Sequence, residues 1–142
     1  MKSPDEIARA CADAMWAQDE VSQTMGMEID HVAAGSAQLS MTIQPHMTNG
    51  QKIAHGGIIF TLADSTFAFA CNTYNQFVVA QHCNVSFLAP AFAGDRLTAI
   101  ASERHRQGRS GIYDVTVSNQ DGEIVAEFRG FSRTVKGQYL SD

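Results

Sequence analysis

Asp64 is the only carboxylate in the run from Ile53 to Phe69, which is otherwise almost uncharged. It stands among Ile58, Ile59, Phe60, Leu62, Ala63, Phe67 and Phe69. An unpaired ion buried among such side chains is costly even after its surroundings relax. The carboxylate is therefore either satisfied by neighbouring hydroxyls such as Thr61 or Ser65, or it borders a cleft in which it serves as base or nucleophile. Just ahead of it, Asn49-Gly50 and His55-Gly56-Gly57 lead into a helix whose first amides lack partners within the helix. Two glycines there let a carbonyl oxygen approach those amides and the positive end of the helix dipole, an arrangement suited to an oxyanion. Close packing or a tight turn equally accounts for a glycine pair. His55 is placed to hold the loop, to donate to a carbonyl or to exchange a proton. Asn49 is placed to orient water or a carboxylate, although Asn-Gly is also ordinary turn chemistry.

Spacing limits how these groups can cooperate. Asp64 lies seven residues beyond Gly57, two helical turns or ~10 Å along the axis. One chain cannot easily bring both to the same carbonyl carbon. A second, antiparallel copy of the helix can, so joint action predicts a two-fold homodimer with its sites at the interface.

The dense basic segment is Arg104, Arg106 and Arg109, with His105, Gln107 and Ser110 among them, and Arg129, Arg133 and Lys136 follow near the C-terminus. Guanidinium forks and turn amides of this kind suit phosphates. A solvated edge strand kept from aggregating by its charges has the same composition. His31, His46, His82 and His105 show no metal-ligand spacing, so no metal is expected. No Walker or dinucleotide glycine motif is present.

The elements that must position these residues follow from composition and period. A chain of 142 residues with 44% hydrophobic residues supports one sizeable core, read as a single domain over residues 1–142. The net charge of −5 gives no electrostatic footprint for nucleic acid or a membrane surface. Three cysteines without a CxxC fit free thiols in a reducing compartment. Acidic residues crowd the first twenty positions and no apolar stretch approaches ~20 residues, so a soluble, cytoplasmic protein is expected.

Ser3-Pro4-Asp5-Glu6 starts a helix, with Ile7, Cys11, Ala14, Met15 and Trp16 lining one side. From Met27 the period becomes two, and Gly35 turns a β-hairpin with one wet face. Gly56 to about Asn72 reads as a central helix buried all round. Strands are predicted over Phe77 to Phe87, Arg96 to His105, Ile112 to Asn119 and Glu123 to Val135, separated by turn residues at Pro90, Gly94-Asp95, Gly108 to Gly111 and Asp121-Gly122. This is an α+β fold, an antiparallel sheet of about six strands curved around one long helix.

Taken together, these segments resemble the hotdog-fold acyl-CoA thioesterases, most closely the PaaI type associated with phenylacetate degradation. The resemblance rests on Asn49-Gly50-Gln51-Lys52-Ile53-Ala54-His55-Gly56-Gly57, Phe60-Thr61-Leu62-Ala63-Asp64 and Phe69-Ala70-Cys71-Asn72. It continues through Val85-Ser86-Phe87-Leu88-Ala89-Pro90, Gly94-Asp95, Gly108 to Asp114 and Phe128-Arg129-Gly130. It implies hydrolysis of an aromatic, phenylacetyl- or hydroxyphenylacetyl-type CoA ester, with Asp64 as nucleophile or general base and the Gly57 amide polarising the carbonyl. Asn49 and His55 would face Asp64 of the partner subunit. CoA would meet Phe87, Pro90, Arg109, Ser110, Gly111 and Arg133 as part of the substrate, with no separate cofactor. A dimer of dimers, that is a homotetramer, is implied as well. Some relatives hold the attacking water with a hydroxyl in the strand after the helix, where this chain has Ala80. The other readings are a hotdog enoyl-thioester hydratase or dehydratase, and a non-catalytic acyl-CoA binding module.

Overall fold

The computed structural model describes residues 1–141. Helix α1 (Pro4–Trp16) starts at the expected capping box: Ser3 Oγ accepts the Glu6 amide at 3.2 Å, and the Glu6 carboxylate accepts the Ser3 amide at 2.9 Å. Its buried face is Ala8, Cys11 and Ala12, one position round from the stripe expected through Ile7 and Ala14. The small alanines allow the helix to lie close against the sheet. A second, five-residue helix, α2 (Glu20–Thr24), has no counterpart in the sequence reading; Asp19 caps it by accepting the Ser22 amide at 2.9 Å. Gly26 then turns the chain at φ +77°.

Six strands form one antiparallel sheet: β1 (Glu28–Ala33), β2 (Ser36–Thr42), β3 (Phe77–Phe87), β4 (Arg96–Gln107), β5 (Ser110–Ser118) and β6 (Ile124–Val135). Their spatial order is β1-β2-β4-β5-β6-β3. β3 occupies the expected residues, while β4 and β5 reach further than expected, up to the turn at Gly108. Register shifts at Ile29/His31, Ala80/His82 and Glu103/His105 mark bulges that bend and twist the sheet. The sheet thereby curves around α3 (Gly56–Cys71). Leu97, Ala99, Ala101, Val115, Val117 and Phe128 on its inner face are all buried against that helix. Gly130 is what lets the Phe67 ring rest on β6, since a Cβ there would lie 2.7 Å from the ring.

α3 is not buried all round. Ile59, Leu62, Ala63, Thr66, Phe67, Phe69, Ala70 and Cys71 are buried, but Gly57, Thr61, Asp64 and Ala68 are not. These four sit at i, i+4, i+7 and i+11 and form one open stripe. Its small members, Gly57 and Ala68, lie between apolar neighbours and read in sequence as part of a core face, which explains the mistaken expectation. The sheet also ends on β3, eleven residues long with one hydrogen-bonding edge free and with Val79 and Phe87 exposed.

Candidate active site

His55 is the N-cap of α3, and its Nδ1 accepts the Gly57 amide at 2.9 Å. Its carbonyl takes the Ile58 amide at 2.9 Å and the Ile59 amide at 3.3 Å. The Gly56 N–H is left without an acceptor among the described residues. The donor free to polarise a carbonyl is therefore the Gly56 amide, whereas the Gly57 amide named by the resemblance is occupied by the imidazole. Cap geometry held the signal, because an N-cap side chain takes the amide at N2 or N3, and Gly57 is N2. A neutral ring accepting at Nδ1 carries its proton on Nε2, so the exposed His55 presents an N–H donor outward. Both glycines also sit close to neighbouring rings. A Cβ at Gly56 would lie 3.1 Å from the Phe87 ring, and one at Gly57 would lie 3.0 Å from His55 Nδ1.

Asn49 builds its loop through Oδ1, which accepts the Gln51 amide at 2.9 Å and, more weakly, the Ile53 amide at 3.4 Å. Its side-chain amide nitrogen has no acceptor among the described residues and is available as a donor. Asn49, Gly56, Phe87 and Pro90 line a common cavity of about 380 Å³. His55 and Gly57 border a separate cavity of about 360 Å³ with His46 and Ile58. The start of α3 thus stands between two hollows, with the free Gly56 amide and Asn49 on one side.

Asp64 is partly buried, and neither suggested hydroxyl satisfies it. Thr61 Oγ1 donates back to the Gly57 carbonyl at 2.7 Å, and Ser65 pairs with Ser22 at 2.9 Å. No hydrogen bond or ion pair reaches Asp64 among the described residues. Burial without compensation pushes its carboxyl above the usual carboxylate range, the direction expected of a base that works near neutrality. Burial foremost, with the Asp64 charge contributing, raises the Cys83 thiol and pushes Cys71 up to about 12. These thiols stay protonated and inert. Asp64 and Gly56 share one continuous helix, eight residues or ~12 Å apart, so a single chain does not bring them to one carbonyl carbon. Ala80 lies on β3 opposite Ser132 and supplies no hydroxyl of its own.

The basic segment separates into tied and free cations. Arg104 and Arg129 both hold Asp114, at 3.4 and 2.6 Å, and the Arg129 fork in particular keeps that carboxyl below the usual range. Arg106 pairs with Glu103 at 3.7 Å and lies 3.6 Å over the Tyr74 ring. The side chains of Arg109 and Arg133 have no carboxylate partner among the described residues. The β5–β6 register sets Ser110 opposite Arg133, so Arg109, Ser110 and Arg133 gather at one end of the sheet. Gly111 is buried; a Cβ there would lie 2.7 Å from Ser132 Oγ, which gives it a packing reason. Ser110 and Gly111 line a third cavity, about 620 Å³, with His82, His105 and Phe131. Among the described residues no His, Cys, Asp and Glu cluster could hold a metal, and no helix is long and apolar enough to cross a membrane.

A curved antiparallel sheet wrapped around one helix is a fold of the hotdog type, and a lone acid two turns beyond a free N-terminal amide suits thioester hydrolysis. The model of the thioesterase superfamily matches residues 51–126. The acyl-coenzyme A thioesterase PaaI of Escherichia coli K12 is 42% identical over 126 residues, which cover 89% of this chain and 90% of that one. The solved structure of the E. coli PaaI protein from the phenylacetic acid degradation operon is 40% identical, with a TM-score of 0.94 over 96% of this chain and 99% of that chain. The TT0310 protein of Thermus thermophilus is 33% identical, with a TM-score of 0.79 over 82% of this chain and 98% of that chain. The chain belongs to the thioesterase superfamily and is an enzyme of the PaaI type within it.

Proposed function

We propose that this protein hydrolyses aromatic acyl-CoA thioesters of the phenylacetyl or hydroxyphenylacetyl type to the free acid and CoA, in a step of phenylacetate breakdown. The observation that carries the chemistry is the unpaired, partly buried Asp64 carboxylate on the open stripe of α3, two turns from the unpartnered Gly56 amide on the same helix. A carboxylate of this kind supplies the attacking electron pair, and an N-terminal amide takes the negative charge that develops on the carbonyl oxygen. The acyl class and the pathway rest on likeness to the PaaI relatives.

The working unit is a homodimer in the cytoplasm. The free edge of β3 pairs with its copy, α3 lies antiparallel to its copy, and Asp64 of the partner subunit faces Gly56, His55 and Asn49. The Gly56 N–H and the Asn49 side-chain amide hold the thioester oxygen and orient the attacking group. Attack at the carbonyl carbon gives a tetrahedral intermediate; its collapse breaks the C–S bond and releases CoA as the thiolate, which takes up a proton. Either the Asp64 carboxylate attacks directly and forms an acyl anhydride, which water then hydrolyses to free the acid and restore the carboxylate, or Asp64 deprotonates a water that attacks and passes that proton on to the thiolate. Single turnover in labelled water, followed by mass analysis of the peptide bearing Asp64, separates the two. The phosphates of CoA reach the free guanidinium groups of Arg109 and Arg133 beside Ser110, while the pantetheine arm passes Phe87 and Pro90. A dimer of dimers completes the assembly.

Thiol release from phenylacetyl-CoA tests the assignment. The expected result is turnover by the wild type, none by Asp64→Asn, and unchanged folding. Hydration of an enoyl-CoA without thiol release, or tight binding of acyl-CoA without turnover, would overturn it.

A further inference from the structure

The hydroxyl of Ser22, fully buried on α2, donates to Asp19 Oδ2 at 2.7 Å and lies 2.9 Å from Ser65 Oγ. With its proton committed to Asp19, Ser22 accepts from Ser65. The result is a directed chain, Ser65 to Ser22 to Asp19, that bolts α2 to α3 one residue past Asp64. A partly buried polar chain of this sort, with Ser22 fully buried at its centre, fixes a position rather than merely filling space. α2 is otherwise five residues long, too short to hold its place by helix formation alone.

The angular order around α3 locates what α2 borders. At ~100° per residue, Asp64, Ala68 and Thr61 come first, then Ser65, then Phe69. The Trp16 ring of α1 packs on Phe69 at 6.2 Å between centroids, so α1 covers the far flank, α2 covers Ser65, and the open stripe comes next. On α2 itself, Ser22 faces α3 and Gln23 turns back to the Trp16 carbonyl on the α1 side. On the helical wheel Val21 falls on the flank of α2 away from Gln23 and α1, and it is 57% exposed. The floor of that stripe is Gly57, Thr61 and Ala68, all small, beside Asp64.

We infer that α2, held by the Ser65–Ser22–Asp19 chain, is a wall of the acyl pocket, and that Val21 sets the size of acyl group admitted beside Asp64. This rests on the thioesterase reading above. Small residues on the floor make room for a compact aryl group, while Val21 blocks the lateral extension that a long alkyl chain needs. A side chain in such a wall discriminates acyl groups by contact and exclusion, within the range of about 10- to 200-fold that one apolar pocket position reaches.

The test measures kcat/KM by thiol release for acetyl-, phenylacetyl- and decanoyl-CoA with wild type, Val21→Trp, Val21→Ala and Ser22→Ala, each checked for folding by thermal unfolding. Val21→Trp should lower the phenylacetyl-to-acetyl ratio by about tenfold or more. Val21→Ala should raise the decanoyl-to-phenylacetyl ratio, and Ser22→Ala, which leaves Val21 in place but frees α2, should move that ratio the same way. Val21 is exposed, so its variants should fold. If the wild type turns over these esters and the ratios of all variants stay within about twofold of wild type, the wall assignment is wrong and the thioesterase reading stands. If the wild type releases no thiol from any of the three, both fall.

Discussion

The glycine pair at the head of α3 offers a sharp test, because its two members carry different duties. A Cβ at position 56 meets the Phe87 ring at 3.1, 3.4 and 3.5 Å. Phe87 is 53% exposed and can yield by a few tenths of an ångström, so Gly56→Ala should cost little stability. It keeps the Gly56 N–H but places a methyl group in the cavity that Gly56 shares with Asn49, where the proposed mechanism brings the thioester oxygen. Loss of one oxyanion donor costs about 10²–10³ in kcat, and blocked access should approach that loss. A Cβ at position 57 meets His55 Nδ1 at 3.0 Å and Cε1 at 3.2 Å, so Gly57→Ala displaces the ring and weakens its 2.9 Å cap. Losing a cap costs ~1 kcal/mol, and replacing glycine by alanine in a helix returns ~0.5–1 kcal/mol. The net change should stay within about 0.5 kcal/mol, too small to shift Tm by more than a few degrees. The assay pairs thermal unfolding with thiol release from phenylacetyl-CoA. Gly56→Ala should lose kcat with Tm nearly unchanged, while Gly57→Ala should lose less. Full kcat in Gly56→Ala alongside a collapse in Gly57→Ala would refute the assignment of the free amide to Gly56.

Other variants probe the remaining links. Burial holds the Asp64 carboxyl above the usual range, so the folded protein binds that proton more tightly than the unfolded chain, and this contribution to stability is lost as pH rises through the raised pKa. The stability of Asp64→Asn minus that of wild type, from urea unfolding at several pH values, should therefore grow with pH; a difference that shrinks would contradict the uncompensated burial. Gly130→Ala puts a Cβ 2.7 Å from the Phe67 ring and should destabilise by ~1–3 kcal/mol in the same assay, since the ring is held between β5 and β6. Val79→Asp places a charge on the free β3 edge; size-exclusion chromatography should report dissociation and the thiol assay loss of turnover, while circular dichroism stays native-like.

Much of the architecture was legible because its punctuation is chemical. Gly94, Gly108 and Gly122 all adopt positive φ at the turns where the sequence placed them, and the capping box set the start of α1 without any knowledge of packing. α2 escaped because five residues carry no helical period and its anchor, Ser22 to Ser65, spans 43 positions. The site was legible in its residues but not in its bonding. Asp64 stood out by charge, yet only in the folded chain do Thr61 and Ser65 turn out to be bonded elsewhere. The choice between adjacent amides depended on the direction of the His55 ring, which spacing does not encode. The open stripe of α3 misled because Gly57 and Ala68, set among apolar neighbours, are as small and uncharged as core residues.

The central claim is that each site joins Asp64 of one protomer to the Gly56 and Asn49 side of another. Asp64→Asn and Asn49→Ala should each be nearly inactive alone. Co-expressed with different tags and purified as the mixed dimer, they place both substitutions in one site and leave the other site wild type, so thiol release should return to about half the wild-type rate per dimer. A mixed dimer no more active than its parents would show that the groups act within one chain, and the account of the site would fail.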